Sequence, residues 1–178
     1  MKTTLLLAIL WVPTLVAAQK LMTKAGQVTF EASVPSFEEV KATHNAVTAV
    51  LNADTGELAS LALVKGFRFK IALMEEHFNE NYIQSDRYPK ATFKGKIENF
   101  NVAELTGVAK DFTIKGQMEL HGKSNPVSAP AKIRKTESGV EILATFNVNA
   151  SDFDIAIPSV VKSKVSNKVA VRCEFVVK

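Results

Sequence analysis

The sequence predicts an all-β fold: one antiparallel β-barrel of about eight strands with one or two short helical insertions. Three observations lead there. Apolar and polar residues alternate with period two along most of the chain, turn residues punctuate that alternation, and the markers of the main competing sandwich are missing. The chain has 178 residues, one domain at roughly 100–200 residues per domain. With 47% hydrophobic and 22% charged residues, and only 8 Gly and 6 Pro, it can build a core and is neither collagen-like nor disordered.

The first residues read as a targeting segment. Lys2 supplies a positive start, Leu5 to Val16 is an apolar run, and Val16-Ala17-Ala18 places small residues where a signal peptidase cuts. With Pro13 inside it, the run is too short for the roughly 20 residues that span a bilayer, so stable membrane insertion is not expected. The division is therefore a signal peptide over 1–18 and a barrel domain over 19–178, with the mature chain exported. Residues 1–18 hold one lysine and no acid, so the net charge drops from +4 to +3 without them. The bases are scattered among acids and form no basic stripe, which excludes nucleic acid as a partner.

Each strand shows its own alternation. Val28, Phe30 and Ala32 face one way; so do Phe67, Phe69, Ile71 and Leu73, then Phe112, Ile114, Met118 and Leu120, with polar neighbours between them. The pattern returns in Val140, Ile142, Ala144, Phe146 and Val148, and in Val171, Cys173, Phe175 and Val177. Half-buried strands over most of a chain mean an antiparallel sheet. Asp54-Thr55-Gly56 and Ser138-Gly139 mark hairpin turns, and His121 to Pro126 a third break. Met74–Asn81 and Pro35–Thr43 are the expected helical insertions. The single cysteine, Cys173, and the loss of Trp11 with the leader remove the disulfide and core tryptophan of an immunoglobulin-type sandwich. A closed barrel also hides the edges an exported chain would expose. Its interior can hold an apolar ligand or be filled by side chains, and pattern alone leaves both open.

The stretch Leu73 to Gly95, LMEEHFNENYIQSDRYPKATFKG, resembles the YceI-like family of exported lipid- and polyisoprenoid-binding proteins, which carries an LM-x-x-HF segment ahead of a Y-I/L-x-S/T-D-x-Y/F-P-x-A-T-F-K-G block. Ile114 to Gly122 is similar to that family's G-x-L-T-x-x-G strand and turn. Phe146-Asn147-Val148, Ser151 to Ile155 and Ile157-Pro158 resemble its F-x-V-x-x-x-D-Y/F-x-I-x-x-P element. The likeness spans roughly Phe67 to Val177. Gly26 to Ala32 and His44 to Val47 stand in place of the commoner N-terminal pattern. The resemblance implies a lipocalin-like barrel with an apolar tunnel for a polyprenyl or quinone-type lipid, no cofactor, and a periplasmic location, with an extracellular one as the alternative. It leaves monomer and homodimer open.

Candidate chemical groups are few. His77 lies among Glu75, Glu76, Glu80 and Asn81, but HExxH is absent and His44 and His121 are far away in sequence, so no metal site is expected. The acids read instead as dipole-compensating residues on a short helix ended by Asn81. Asp152 and Asp154 flank Phe153 as a bend held by aspartate to backbone bonds. Cys173 should be buried and inert. The reading is an exported binding protein, not an enzyme, with Phe67, Phe69, Ile71, Phe112, Ile114, Met118, Ile142, Phe146, Val171 and Phe175 lining the cavity. One alternative is a filled barrel serving as an interaction or stress-protection module. A second is an enzyme using His77 and Glu80.

Overall fold

Alternation along the chain closes on itself in space. The computed structural model describes residues 19–178, so the expected signal peptide lies outside the described residues. The described residues form nine strands: β1 (Lys20–Ser33), β2 (Lys41–Asn52), β3 (Glu57–Leu63), β4 (Arg68–Phe69), β5 (Lys90–Ile97), β6 (Lys110–Leu120), β7 (Lys123–Thr136), β8 (Gly139–Asn149) and β9 (Val165–Val177). All ladders are antiparallel, in the order β1-β9-β8-β7-β6-β5-β3-β2, and β1 pairs again with β2 to close an eight-stranded barrel, with two-residue β4 flanking β2. The one α-helix among the described residues, α1 (Ala72–His77), runs on through a wider turn, Phe78–Tyr82.

Turn chemistry sets the registers. The β2–β3 and β7–β8 hairpins form where expected, pairing Leu51 with Leu58 and Thr136 with Gly139. The third break is shorter than His121 to Pro126: Leu120 already pairs with Lys123. His121 and Gly122 both have positive φ, 52° and 74°, which is the two-residue hairpin turn whose twist matches that of the strands. The remaining residues of the break belong to β7, Pro126 included. β7 pairs with β8 only from Ala131 to Thr136, so beyond that ladder no β8 partner stands opposite Pro126 and Pro130 and their missing N–H groups cost nothing on that side. The gap is filled by the short helical turn Ala150–Phe153, whose Phe153 is buried.

Two other expectations are corrected. Pro35–Thr43 forms no helix: a turn follows Val34, and β2 begins at Lys41. Phe67–Leu73 is not one strand, because a 3-10 turn at Val64–Gly66 precedes the two-residue β4 and Ile71 already caps α1. Leu73 is consequently exposed. β1 starts earlier than its clear alternation suggests, since register shifts around Gly26 change the inward phase. The same irregularity lets both the pair Ala42 and His44 and the set Val47, Ala49 and Leu51 be buried along β2.

The two ends of the barrel differ. At one end, Leu51, Ile97, Ile133 and Val177 are fully buried, and Phe100, Val102 and Leu105 of the β5–β6 connection pack against this cluster. That half is solid. The other end carries α1 and the loops after β1, β3 and β8.

Candidate functional site

The open half encloses a cavity of about 400 Å³, within the size range of small-molecule sites. Its wall is built by strand alternation: Val28 and Phe30 from β1, Leu58 and Ala62 from β3, Phe93 from β5, Ile114 and Met118 from β6, and Ile142 and Phe146 from β8 all face it. The mouth lies between α1, the β1–β2 loop at Phe37 and the β8–β9 loop at Ile155 to Lys164. A cluster of four rings stands there. Phe30 contacts Phe67, Phe69 and Phe78 at centroid distances of 5.2, 5.7 and 5.3 Å, and Phe69 meets Phe78 at 5.2 Å. Glu75 ties α1 over this cluster by accepting from Arg68 Nη1 at 2.8 Å and from the Phe69 backbone N–H at 3.1 Å. Its carboxylate therefore anchors the helix to β4 rather than only balancing a dipole. Asn81 does not end the helix, which runs on until Gln84 takes a positive φ.

Of the residues expected on the wall, Phe67, Phe69, Ile114, Met118, Ile142, Phe146, Val171 and Phe175 line the cavity. Ile71 and Phe112 do not. Ile71 is the residue that caps α1. Phe112 keeps its inward phase but sits in the solid half, where its ring meets Phe100 at 6.0 Å. Sequence reasoning missed Phe78, Phe93, Ile155, Ile157 and Val161 as wall residues. Phe93 alternates with Thr92 and Lys94, and that signal was available; the loop residues had no period to reveal them.

The few polar groups have identifiable settings. Cys173 is half-buried rather than enclosed, because it faces the cavity, and burial pushes its thiol up to about 12. His44 is buried against Phe67, ring to ring at 5.4 Å, with Gly66 beside its Nε2 so closely that a Cβ there would clash. Its Nδ1 accepts from Ala46 N–H at 3.0 Å, which places the proton of the neutral ring on Nε2. Burial, chiefly, holds His44 below the ordinary histidine value; the Leu63 carbonyl works in the opposite direction and Arg68 adds to the lowering. His121 bonds to the Phe153 carbonyl at 2.9 Å and meets the Tyr88 ring edge to face at 4.4 Å, locking the plug between β7 and β8. Asn125 donates to the Asp152 carbonyl at 2.6 Å, and Lys123 pairs with Asp154 at 2.8 Å. The Asp152–Asp154 bend is thus held from outside by side chains rather than by its own carboxylates on backbone. His77 and Glu80 are exposed, and no hydrogen bond or ion pair joins them among the described residues. No cluster of three or more His, Cys, Asp or Glu side chains suited to a metal occurs among those residues.

The sequence matches the YceI-like domain over residues 19–177. The chain belongs to the YceI-like family. Similar solved structures repeat the YceI-like barrel at low identity. A polyisoprenoid-binding domain from Saccharophagus degradans, implicated in plant cell wall breakdown, superposes with a TM-score of 0.75 at 13% identity, over 87% of this chain and 95% of that one. BcnA of Burkholderia cenocepacia gives 0.69 at 14% identity, over 84% and 94%. The YceI protein of Campylobacter jejuni gives 0.61 at 16% identity, over 82% and 89%. Comparison with curated proteins found no match.

Proposed function

We propose that this YceI-like barrel holds a lipid-like molecule, isoprenoid in character, with its chain in the cavity and no covalent chemistry done on it. The observation that carries the reading is the hollow, aromatic-rich half of the barrel opening at one end while the other end is solid. Burial stabilises by about 0.8 kcal/mol per CH₂, so a five-carbon isoprene unit contributes roughly 4 kcal/mol gross, and two or three units support micromolar binding after association costs. The polyisoprenoid-binding domain among the similar structures supports the ligand class. The cavity speaks against the filled-barrel alternative; His77 borders its mouth but Glu80 does not, and the largely apolar wall suits holding rather than acid–base work by that pair.

Export belongs to the same proposal. Lys2, the apolar run to Val16 and the small residues ending at Ala18 support a cleaved leader and a periplasmic mature chain. Two measurements test these points. Native mass spectrometry with organic extraction should find a lipid on protein purified from its host, and N-terminal sequencing should begin at or near Gln19. A protein that emerges empty and takes up no polyprenol or quinone analogue after delipidation refutes the carrier reading.

A further inference from the structure

We infer that Phe93 and Phe175 form the floor of the cavity and make it a short-chain site, which takes about three isoprene units and gains nothing from longer chains. This rests on the lipid-carrier reading and adds to it the length of the chain. The floor is visible in the strand ladders. Ile114 and Ala129 pair across β6 and β7 and both line the cavity, while the next inward pair toward the solid end, Phe112 and Ala131, does not. Across β8 and β9 the same step separates Ile142 and Phe175, which line it, from Val140 and Val177, which do not. One period of the alternation takes the barrel from hollow to filled.

Three inward glycines seat the rings that close it. A Cβ on Gly26 would stand 2.6 Å from Cδ1 of Phe175, and Cβ atoms on Gly95 and Gly116, which pair with each other, would stand 2.6 and 2.7 Å from Cζ of Phe93. Each ring therefore occupies room that another side chain would take, Phe175 beside the register shifts of β1 at Gly26 and Phe93 along its own strand. β5 and β9 lie four strands apart whichever way round the barrel is followed, so the two rings come from opposite sides of the lumen. Both border the cavity, and both pack within or against the buried core. Volume then sets the length. An engineered apolar cavity of about 150 Å³ binds benzene, roughly 25 Å³ per carbon, so the cavity of about 400 Å³ holds about sixteen carbons, or three isoprene units. The mouth is open, so a longer chain can still enter, but its further units stay in water and bury nothing more.

Competition binding tests this on the delipidated protein, with linear prenols of one to six isoprene units displacing a radiolabelled three-unit prenol. Each unit up to the third should tighten binding about tenfold or more, and the fourth to sixth together less than about twofold. Phe175→Ala should move the plateau to about four units, because the lost ring makes room for roughly one more. Ala129→Phe adds a ring at the last wall position of β7 and should move the plateau the other way, to about two units. Phe112→Ala, in the solid half, should leave it where it is in wild type. Because Ala129→Phe removes nothing from the core, it decides the matter even where Phe175→Ala fails to fold. Affinity that climbs through six units, a plateau that a folded Phe175→Ala or Ala129→Phe leaves unmoved, or one that Phe112→Ala shifts overturns the floor and leaves the carrier standing. Binding of no prenol of any length overturns both.

Discussion

Phe153, Phe69 and Phe112 show how similar side chains acquire different roles from their place in one barrel. Phe153 is nearly inaccessible, wedged where β7 and β8 part, so Phe153→Ala should cost about 3–5 kcal/mol in denaturant unfolding. Phe69 already borders empty space on the cavity side. Its truncation should cost less than that, yet lower lipid affinity. Phe112 packs on Phe100 in the solid half, and Phe112→Ala should destabilise without touching affinity. Two titrations add tests at this scale. His44 has its folded-state value lowered by burial, so its contribution is present above the unfolded value of about 6.5 and is lost as pH falls. Wild type should therefore lose more stability between pH 7 and pH 5 than His44→Leu, once each is compared with itself at pH 7. Cys173 has the opposite sign: with its thiol raised to about 12, its contribution is full below the ordinary value of 9.0 and fades as pH rises through that window. Thiol reagents at pH 8 should label Cys173 far more slowly in folded protein than in denaturant, and more slowly again when lipid fills the cavity.

Elements were legible in proportion to their regularity. The strict alternations of Phe112–Leu120 and Val171–Val177 fall within the strands Lys110–Leu120 and Val165–Val177, because one face is buried and a one-residue slip would turn every apolar side chain outward. Legibility failed where the backbone leaves the pleat. Phe67, Phe69, Ile71 and Leu73 alternate like a strand, yet a 3-10 turn, a two-residue strand and the cap of α1 divide them. What decides that segment is tertiary: His44 beneath Gly66, the aromatic cluster beneath α1, and the Glu75 anchor, none of which a local period encodes. The Pro35–Thr43 stretch has the composition of a short helix start, but β1 and β2 are paired on either side of it, Glu31 with Lys41, and the chain has only a turn's length to return. The β6–β7 turn gives the sharpest test at this scale. Gly122 has a φ of +74° and lies against the Tyr88 ring, so an alanine there would be strained and would meet that ring at 2.7 Å. Gly122→Ala should destabilise by more than about 1 kcal/mol in equilibrium unfolding, beyond the entropic gain of losing a glycine.

At the scale of the whole molecule, the sequence indicated a barrel but not whether it was hollow, because an inward phase is the same for a packed side chain and for one that faces a void. Ile142 and Ile133 both lie on inward phases, and both are fully buried, yet only Ile142 borders the cavity. The division into a solid half and a hollow half comes from the β5–β6 connection, which folds Phe100 and Leu105 over one end while the opposite loops spread apart. The wall residues contributed by Ile155, Ile157 and Val161 come from a loop without a repeat, which is why half of the mouth was invisible in the pattern. A small residue on the wall makes the hollowness testable. Ala144 lies in the middle of β8, pairs with Cys173 of β9 and faces the cavity. Replacing it by phenylalanine puts a ring into space that should be free. The decisive measurement is lipid uptake by delipidated wild type and Ala144→Phe, titrated with a short-chain isoprenoid quinone, alongside their unfolding in the absence of lipid. A hollow carrier predicts micromolar binding by wild type, little or none by Ala144→Phe, and ligand-free stabilities within about 1 kcal/mol of each other. No binding by wild type, together with an overpacking loss of about 1–3 kcal/mol in the variant, would show the interior to be filled and contradict the carrier.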